Sequence, residues 1–174
     1  MLEELQKKKI GMLFQAMDAD KNGVIDENDF KRLGENFSSI QKSEMDFNAM
    51  FMDVHQTITT LADTNKDQKV SVDEFYTFWD KTLGSNEGYG KFVTGFAQSF
   101  FKILDSNNDS MITKDEYGTF LKAFGADNFD PTTTFEGLAE GSEYITSDRW
   151  MTVIEEFFTE TELGKPGNLL FGPM

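Results

Sequence analysis

The sequence predicts an all-α fold: four helix-loop-helix units in two pairs, compact, with the fourth loop degenerate. Three observations carry this reading. Runs of alternating oxygen-bearing side chains start at Asp18, Asp63 and Asp105, a period of roughly 40 residues. Each run lies between apolar residues at helical three-to-four spacing. And 18 phenylalanines against three prolines favour helices packed through large aromatic side chains.

In the first unit Leu2, Leu5, Ile10, Leu13, Phe14 and Met17 are spaced for an entering helix, and Phe30, Leu33 and Phe37 for a leaving one. Between them Asp18, Asp20, Asn22, Asp26 and Asp29 hold the first, third, fifth, ninth and twelfth places of a loop, the ligand spacing of an EF-hand. A hard cation such as calcium takes about six to eight oxygens, and alternate side chains of a curled loop can supply them. Val24 would add its backbone carbonyl, Ile25 would point into the core, and Gly23 permits the positive φ of the turn. Asp29 is one methylene shorter than the glutamate that usually closes such a loop by binding through both oxygens. Magnesium is therefore the competing ion at this first site.

A long helix is expected from about Lys42 to Ala62, carrying Met45, Phe47, Met50, Phe51, Val54, Ile58 and Leu61. The second loop follows, with Asp63, Asn65, Asp67, the Lys69 carbonyl, Ser71 and Glu74 as ligands. Phe75, Phe78 and Trp79 face the core from the next helix, which ends near Gly84. Three glycines within residues 84–90 mark the expected linker. Phe92, Val93, Phe96, Phe100, Phe101 and Leu104 then lead into the third loop, with Asp105, Asn107, Asp109, the Met111 carbonyl, Thr113 and Glu116 as ligands. Gln68 and Ser110 replace the turn glycine in these two loops, and a side chain forced to positive φ costs on the order of 1 kcal/mol.

Where the period places a fourth loop, Ile145 takes the eighth position, so Leu138 is first and Arg149 twelfth. An apolar residue and a cation at the two most important ligand positions predict a unit that pairs with the third and binds no metal. The tail from Gly164 reads as a flexible hinge followed by Leu169-Leu170-Phe171, an apolar tip expected to fold back into a cleft of the same chain. The expected organisation is an N-terminal pair over 1–84, a C-terminal pair over 91–158 and a docking tail over 159–174.

Composition narrows the function classes. A net charge of −15 repels nucleic acid and anionic membrane and attracts cations. The absence of cysteine excludes disulfides, thiolate metal sites and cysteine nucleophiles. No apolar run approaches the length of a membrane span, and the opening Met1-Leu2-Glu3-Glu4 does not read as a signal peptide. His55, the only histidine, has no nucleophile constellation around it, so no enzyme is expected. Gly90-Lys91 fails as a phosphate loop, because residue 85 is serine and Phe92 stands where Ser or Thr must follow. Met45, Met50 and Met52 read as core, with a target-binding groove as the alternative.

Chance acidic turns do not explain the pattern. All three loops have an acidic twelfth residue, an aliphatic eighth (Ile25, Val70, Ile112) and an aromatic thirteenth (Phe30, Phe75, Tyr117). With Leu5-Gln6-Lys7-Lys8-Lys9-Ile10, Ile25-Asp26-Glu27-Asn28-Asp29-Phe30, Ala62-Asp63-Thr64-Asn65-Lys66-Asp67, Trp79 and the tail Gly167-Asn168-Leu169-Leu170-Phe171-Gly172, the chain resembles the invertebrate sarcoplasmic calcium-binding proteins and the related calexcitins. That resemblance implies four EF-hands in two pairs with a fourth often unable to bind, and a cytoplasmic calcium buffer whose first site commonly ends in aspartate. The calexcitin branch implies neuronal signalling instead. The expectation is a monomeric, cytoplasmic buffer or transporter of calcium with three sites and no stable membrane insertion; a sensor that changes conformation and grips a target protein is the alternative.

Overall fold

The computed structural model describes residues 1–41 and 43–174. Helix α1 (Glu4–Met17) leads into strand β1 (Val24–Ile25) and helix α2 (Glu27–Ile40); α3 (Phe47–Ala62), β2 (Val70–Ser71) and α4 (Val72–Leu83) form the second unit. A helical turn α5 (Asn86–Gly88) and a π-turn (Tyr89–Val93) run directly into α6 (Thr94–Leu104). Next come β3 (Met111–Thr113), α7 (Lys114–Ala123), α8 (Pro131–Leu138), β4 (Tyr144–Thr146), α9 (Ser147–Thr159) and a 3-10 turn at Pro166–Leu169. The fold is mostly helical, with four helix-loop-helix units. Among the described residues no helix is long and apolar enough to cross a membrane.

The short strands pair antiparallel, β1 with β2 and β3 with β4. Their registers set Ile25 against Val70 and Ile112 against Ile145, so the eighth residues of paired loops face each other in the core. A sequence rule explains the helix that leaves each of the first three loops. The ninth and twelfth residues form a capping box, Asp26 with Asp29, Ser71 with Glu74 and Thr113 with Glu116, so each pair of side chains satisfies two orphan N–H groups.

One apolar core runs through both halves. Phe37 of α2 lies 5.6 Å from Phe124 and 6.3 Å from Phe120, and Trp79 stacks on Phe158 at 4.2 Å. Offset and edge-on contacts of this kind each add about 0.5–1.5 kcal/mol beyond area burial.

Three expectations are corrected. The helix drawn from Lys42 starts at Phe47, because the Asp46 carboxylate accepts the Ala49 N–H and fixes the helix start there; Lys42 itself lies outside the described residues. Residues 84–90 are no open linker: Ser85 caps a helical turn by accepting the Gly88 N–H, and the turn continues into α6. The tail hinge is anchored. Gly167 packs where a Cβ would strike Val153 and Glu156, its N–H donates to Glu156 Oε2 at 2.9 Å, and Asn168 is buried. Phe171, 6% exposed, sits among Phe120, Phe124 and Phe157, and the Tyr117 hydroxyl donates to the Leu170 carbonyl at 3.1 Å.

Candidate metal centres

Each acidic loop is shaped by its own short side chains. Asp18 accepts the N–H groups of Asn22 and Gly23; Asp63 accepts those of Lys66, Asp67 and Gln68; Asp105 accepts those of Asp109 and Ser110. The third and fifth residues bond the main chain two places on: Asp20 to Asn22, Asn22 to Val24, Asn65 to Asp67, Asp67 to Lys69, Asn107 to Asp109 and Asp109 to Met111. The turn at the sixth place is left-handed in all three, with φ +87° at Gly23, +65° at Gln68 and +67° at Ser110. The fourth place is left-handed as well, at Lys21, Lys66 and Asn108. Sequence reasoning anticipated the strain at the sixth place and missed it at the fourth, where no glycine marks it.

The twelfth residue ties the ends of each loop together. Glu74 accepts the Thr64 N–H and hydroxyl on one oxygen and the Ser71 N–H and hydroxyl on the other. These bonds, led by the Ser71 N–H, hold its carboxyl down at about 2. Glu116 does the same with Ser106 and Thr113. Hydroxyls at the second place, Thr64 and Ser106, are thus part of both sites; their recurrence at one loop position was the signal for them. Ala19 has no such hydroxyl.

Asp29 is different in reach. One oxygen accepts the Asp26 N–H at 2.8 Å and the other the N–H of Asp20, the third residue, at 3.1 Å, whereas both glutamates also take the N–H and hydroxyl of the second residue. The side chain is fully buried. Burial pushes its carboxyl up, against the pull of the Asp26 and Asp20 N–H groups. Among the described residues only Asp18, Asp20 and Asp29 bring three carboxylates so close, each with an oxygen within 4.8 Å of the others. Asp26 of this loop is half-buried and Asn22 exposed; in the second loop Asp63 and Ser71 are half-buried while Asn65, Asp67 and Lys69 are exposed. In the third, Asp105 and Glu116 are buried, Met111 and Thr113 half-buried, Asn107 and Asp109 exposed. Every donor in these sets is an oxygen, which suits calcium or magnesium and not a soft metal.

In the fourth loop Arg149 Nε donates to the Leu138 carbonyl at 2.7 Å, and Nη1 lies 3.5 Å from Glu140. Lys9 was missed altogether. It is fully buried, and its ammonium donates to the Glu156 and Glu160 carbonyls and to Asn168 Oδ1. Its position four residues from both Leu5 and Leu13, on the apolar face of α1, was the signal.

The family model for an EF-hand domain pair matches residues 7–79, and that for a single EF hand matches residues 96–121. Sarcoplasmic calcium-binding proteins II, V, VI and VII of Branchiostoma lanceolatum are 25% identical over 184 aligned residues, covering 98% of each chain. Calexcitin-1 of Caenorhabditis elegans is 26% identical over 120, covering 66% of this chain and 58% of that one. The solved sarcoplasmic calcium-binding protein from amphioxus shares the fold over the full length of both chains, with a TM-score of 0.77 at 24% identity. Paired eighth residues, capping boxes that double as loop closures, and these likenesses agree: the chain belongs to the EF-hand proteins and is similar along its length to the sarcoplasmic calcium-binding proteins.

Proposed function

We propose that the protein is a non-enzymatic, cytoplasmic, monomeric calcium buffer with three sites, an N-terminal pair within residues 1–84 and one functional loop in the C-terminal pair of residues 91–158. The ligands are Asp18, Asp20, Asn22, Val24, Asp26 and Asp29; Asp63, Asn65, Asp67, Lys69, Ser71 and Glu74; Asp105, Asn107, Asp109, Met111, Thr113 and Glu116. Without metal the loop carboxylates repel one another; a bound cation relaxes that repulsion and stabilises the folded chain. The first site takes magnesium when calcium is low. The observation carrying this is the convergence of Asp18, Asp20 and Asp29, whose short closing acid forms a tighter ring suited to an ion with bonds near 2.0–2.1 Å rather than about 2.3–2.6 Å.

Calorimetric calcium titration with and without millimolar magnesium tests this. Three calcium ions are expected, with magnesium weakening one site. Asp29→Glu is expected to remove the magnesium effect at that site; fewer than three ions, or unchanged selectivity in the variant, counts against the reading.

A second reading, the calcium sensor, draws support from an apolar groove of about 490 Å³ lined by Met50, Val54, Ile58, Phe78, Trp79 and Phe96. Of the three methionines considered for such a groove, Met50 lines it. Against the sensor stands the tail, which fills the C-terminal cleft with the chain's own Phe171. Calcium-dependent binding of a dye to apolar surface would favour the sensor.

A further inference from the structure

The fourth loop is closed by a clamp of reversed polarity. In the first three loops the twelfth side chain is a carboxylate that accepts N–H groups from both loop ends, so closing the loop concentrates negative charge that a bound cation must offset. In the fourth the twelfth side chain is a guanidinium that donates to the carbonyl of the first residue, Leu138, and pairs with the carboxylate of the third, Glu140. Its remaining nitrogen, Nη2, is enclosed and meets no acceptor among the described residues. A positive charge is therefore built into the loop covalently, at the residue from which a metal would draw its last ligands.

The rest of the loop is shaped accordingly. Leu138 cannot accept N–H groups as the first-place aspartates do, and backbone bonds replace them: Gly141 N–H to the Glu136 carbonyl at 3.0 Å and Ser142 N–H to the Ala139 carbonyl at 3.0 Å. Left-handed residues sit at the third and fourth places, Glu140 and Gly141, instead of the fourth and sixth. The Arg149 N–H also donates to the Thr146 hydroxyl at 3.2 Å, so side chain and main chain of one residue fix both the turn and the end of β4. Opposite β4 lies β3, whose Met111, Ile112 and Thr113 face Thr146, Ile145 and Tyr144. Met111 and Thr113 are the seventh and ninth residues of the third loop.

We infer that Arg149 is the resident cation of the fourth loop, and that by holding this loop closed without metal it positions the strand against which the third calcium site forms. The third loop then closes on a partner already ordered, and its calcium does not have to order two loops at once. This rests on reading the third loop as a calcium site. Among the described residues Arg149 makes no hydrogen bond or ion pair with a ligand of that site, and it acts on it through β4.

Calcium titration of the full chain in a D29N/E74Q background, which leaves the third loop as the one complete set of ligands, tests the inference. This parent should bind one calcium ion; if it binds none, the three-site reading has failed, independently of Arg149. Given binding, Arg149→Met is expected to lower the affinity about tenfold, the low end for residues that orient ligands without touching the metal. Arg149→Lys, which keeps the charge, should lose clearly less affinity than Arg149→Met. In an E116Q background, which reads the first two loops, Arg149→Met should change nothing, whereas general loosening of the fold would weaken them too. Affinity unchanged by Arg149→Met, or equal losses with Met and Lys, overturns the inference. Should Arg149→Met fail to fold, Arg149→Gln against Arg149→Lys makes the same comparison.

Discussion

Truncating Phe171 to alanine tests how firmly the tail closes the molecule. The ring is almost fully enclosed and lies 5.8 Å from Phe120, 6.1 Å from Phe124 and 5.8 Å from Phe157. Removing a buried Phe side chain costs about 3–5 kcal/mol when a cavity remains. Here the tail can swing away instead of leaving a void, which sets the expectation at the low end, about 3 kcal/mol. Release would also forfeit the Tyr117 bond to the Leu170 carbonyl, so the loss does not vanish by relaxation. In a domain of this size 1 kcal/mol moves the melting point by about 2–4 °C, giving a fall of about 6–12 °C. Thermal unfolding in saturating calcium, followed by circular dichroism, reads this directly. A fall below about 3 °C would show that Phe171 contributes little and would remove the main argument for a plugged cleft.

Two further outcomes are expected. Gln68→Gly relieves a side chain held at φ +65° and should tighten calcium binding at the second loop by a few-fold, on the order of the 1 kcal/mol such strain costs; weaker binding would show that the glutamine does more than fill space. Lys9 sets a pH dependence: burial, opposed by the charges of Glu160 and Glu156, lowers its ammonium from 10.5 to about 8. Between those values the unfolded chain holds a proton that the folded chain has released, so stability should rise with pH across that window. Urea unfolding at a series of pH values should show this slope and should show it flattened in Lys9→Met; equal slopes would refute the assignment.

Much of the architecture could be read from residues 18–29, 63–74 and 105–116, because an EF loop encodes its geometry locally. Aspartates that bond the main chain two to five places on, a turn at the sixth place and a capping box at its end are all short-range devices. The fourth loop yielded to the same logic: Ile145 fixed the register, and Leu138 and Arg149 followed. What was not legible depends on distant partners. Nothing local announces that Asp46 stops a helix which apolar spacing alone extends to Lys42. Three glycines in residues 84–90 read as slack chain, yet Ser85 and the packing of Tyr89 and Val93 against the core turn them into helix. The hinge at Gly167 is tight because α9 crosses it, and spacing within the tail cannot show that. At the sites, the Thr64 and Ser106 hydroxyls escaped notice because the loop pattern assigns their position no ligand.

Lys9 has a consequence for how distant parts of the chain depend on one another. Its three acceptors lie 147, 151 and 159 residues further along. They receive an ammonium that α1 places on a face otherwise suited to burial. Closing the apolar face of α1 is thereby tied to α9 and the turn at Pro166, so the first EF-hand unit leans on a stretch of chain that no calcium loop contains.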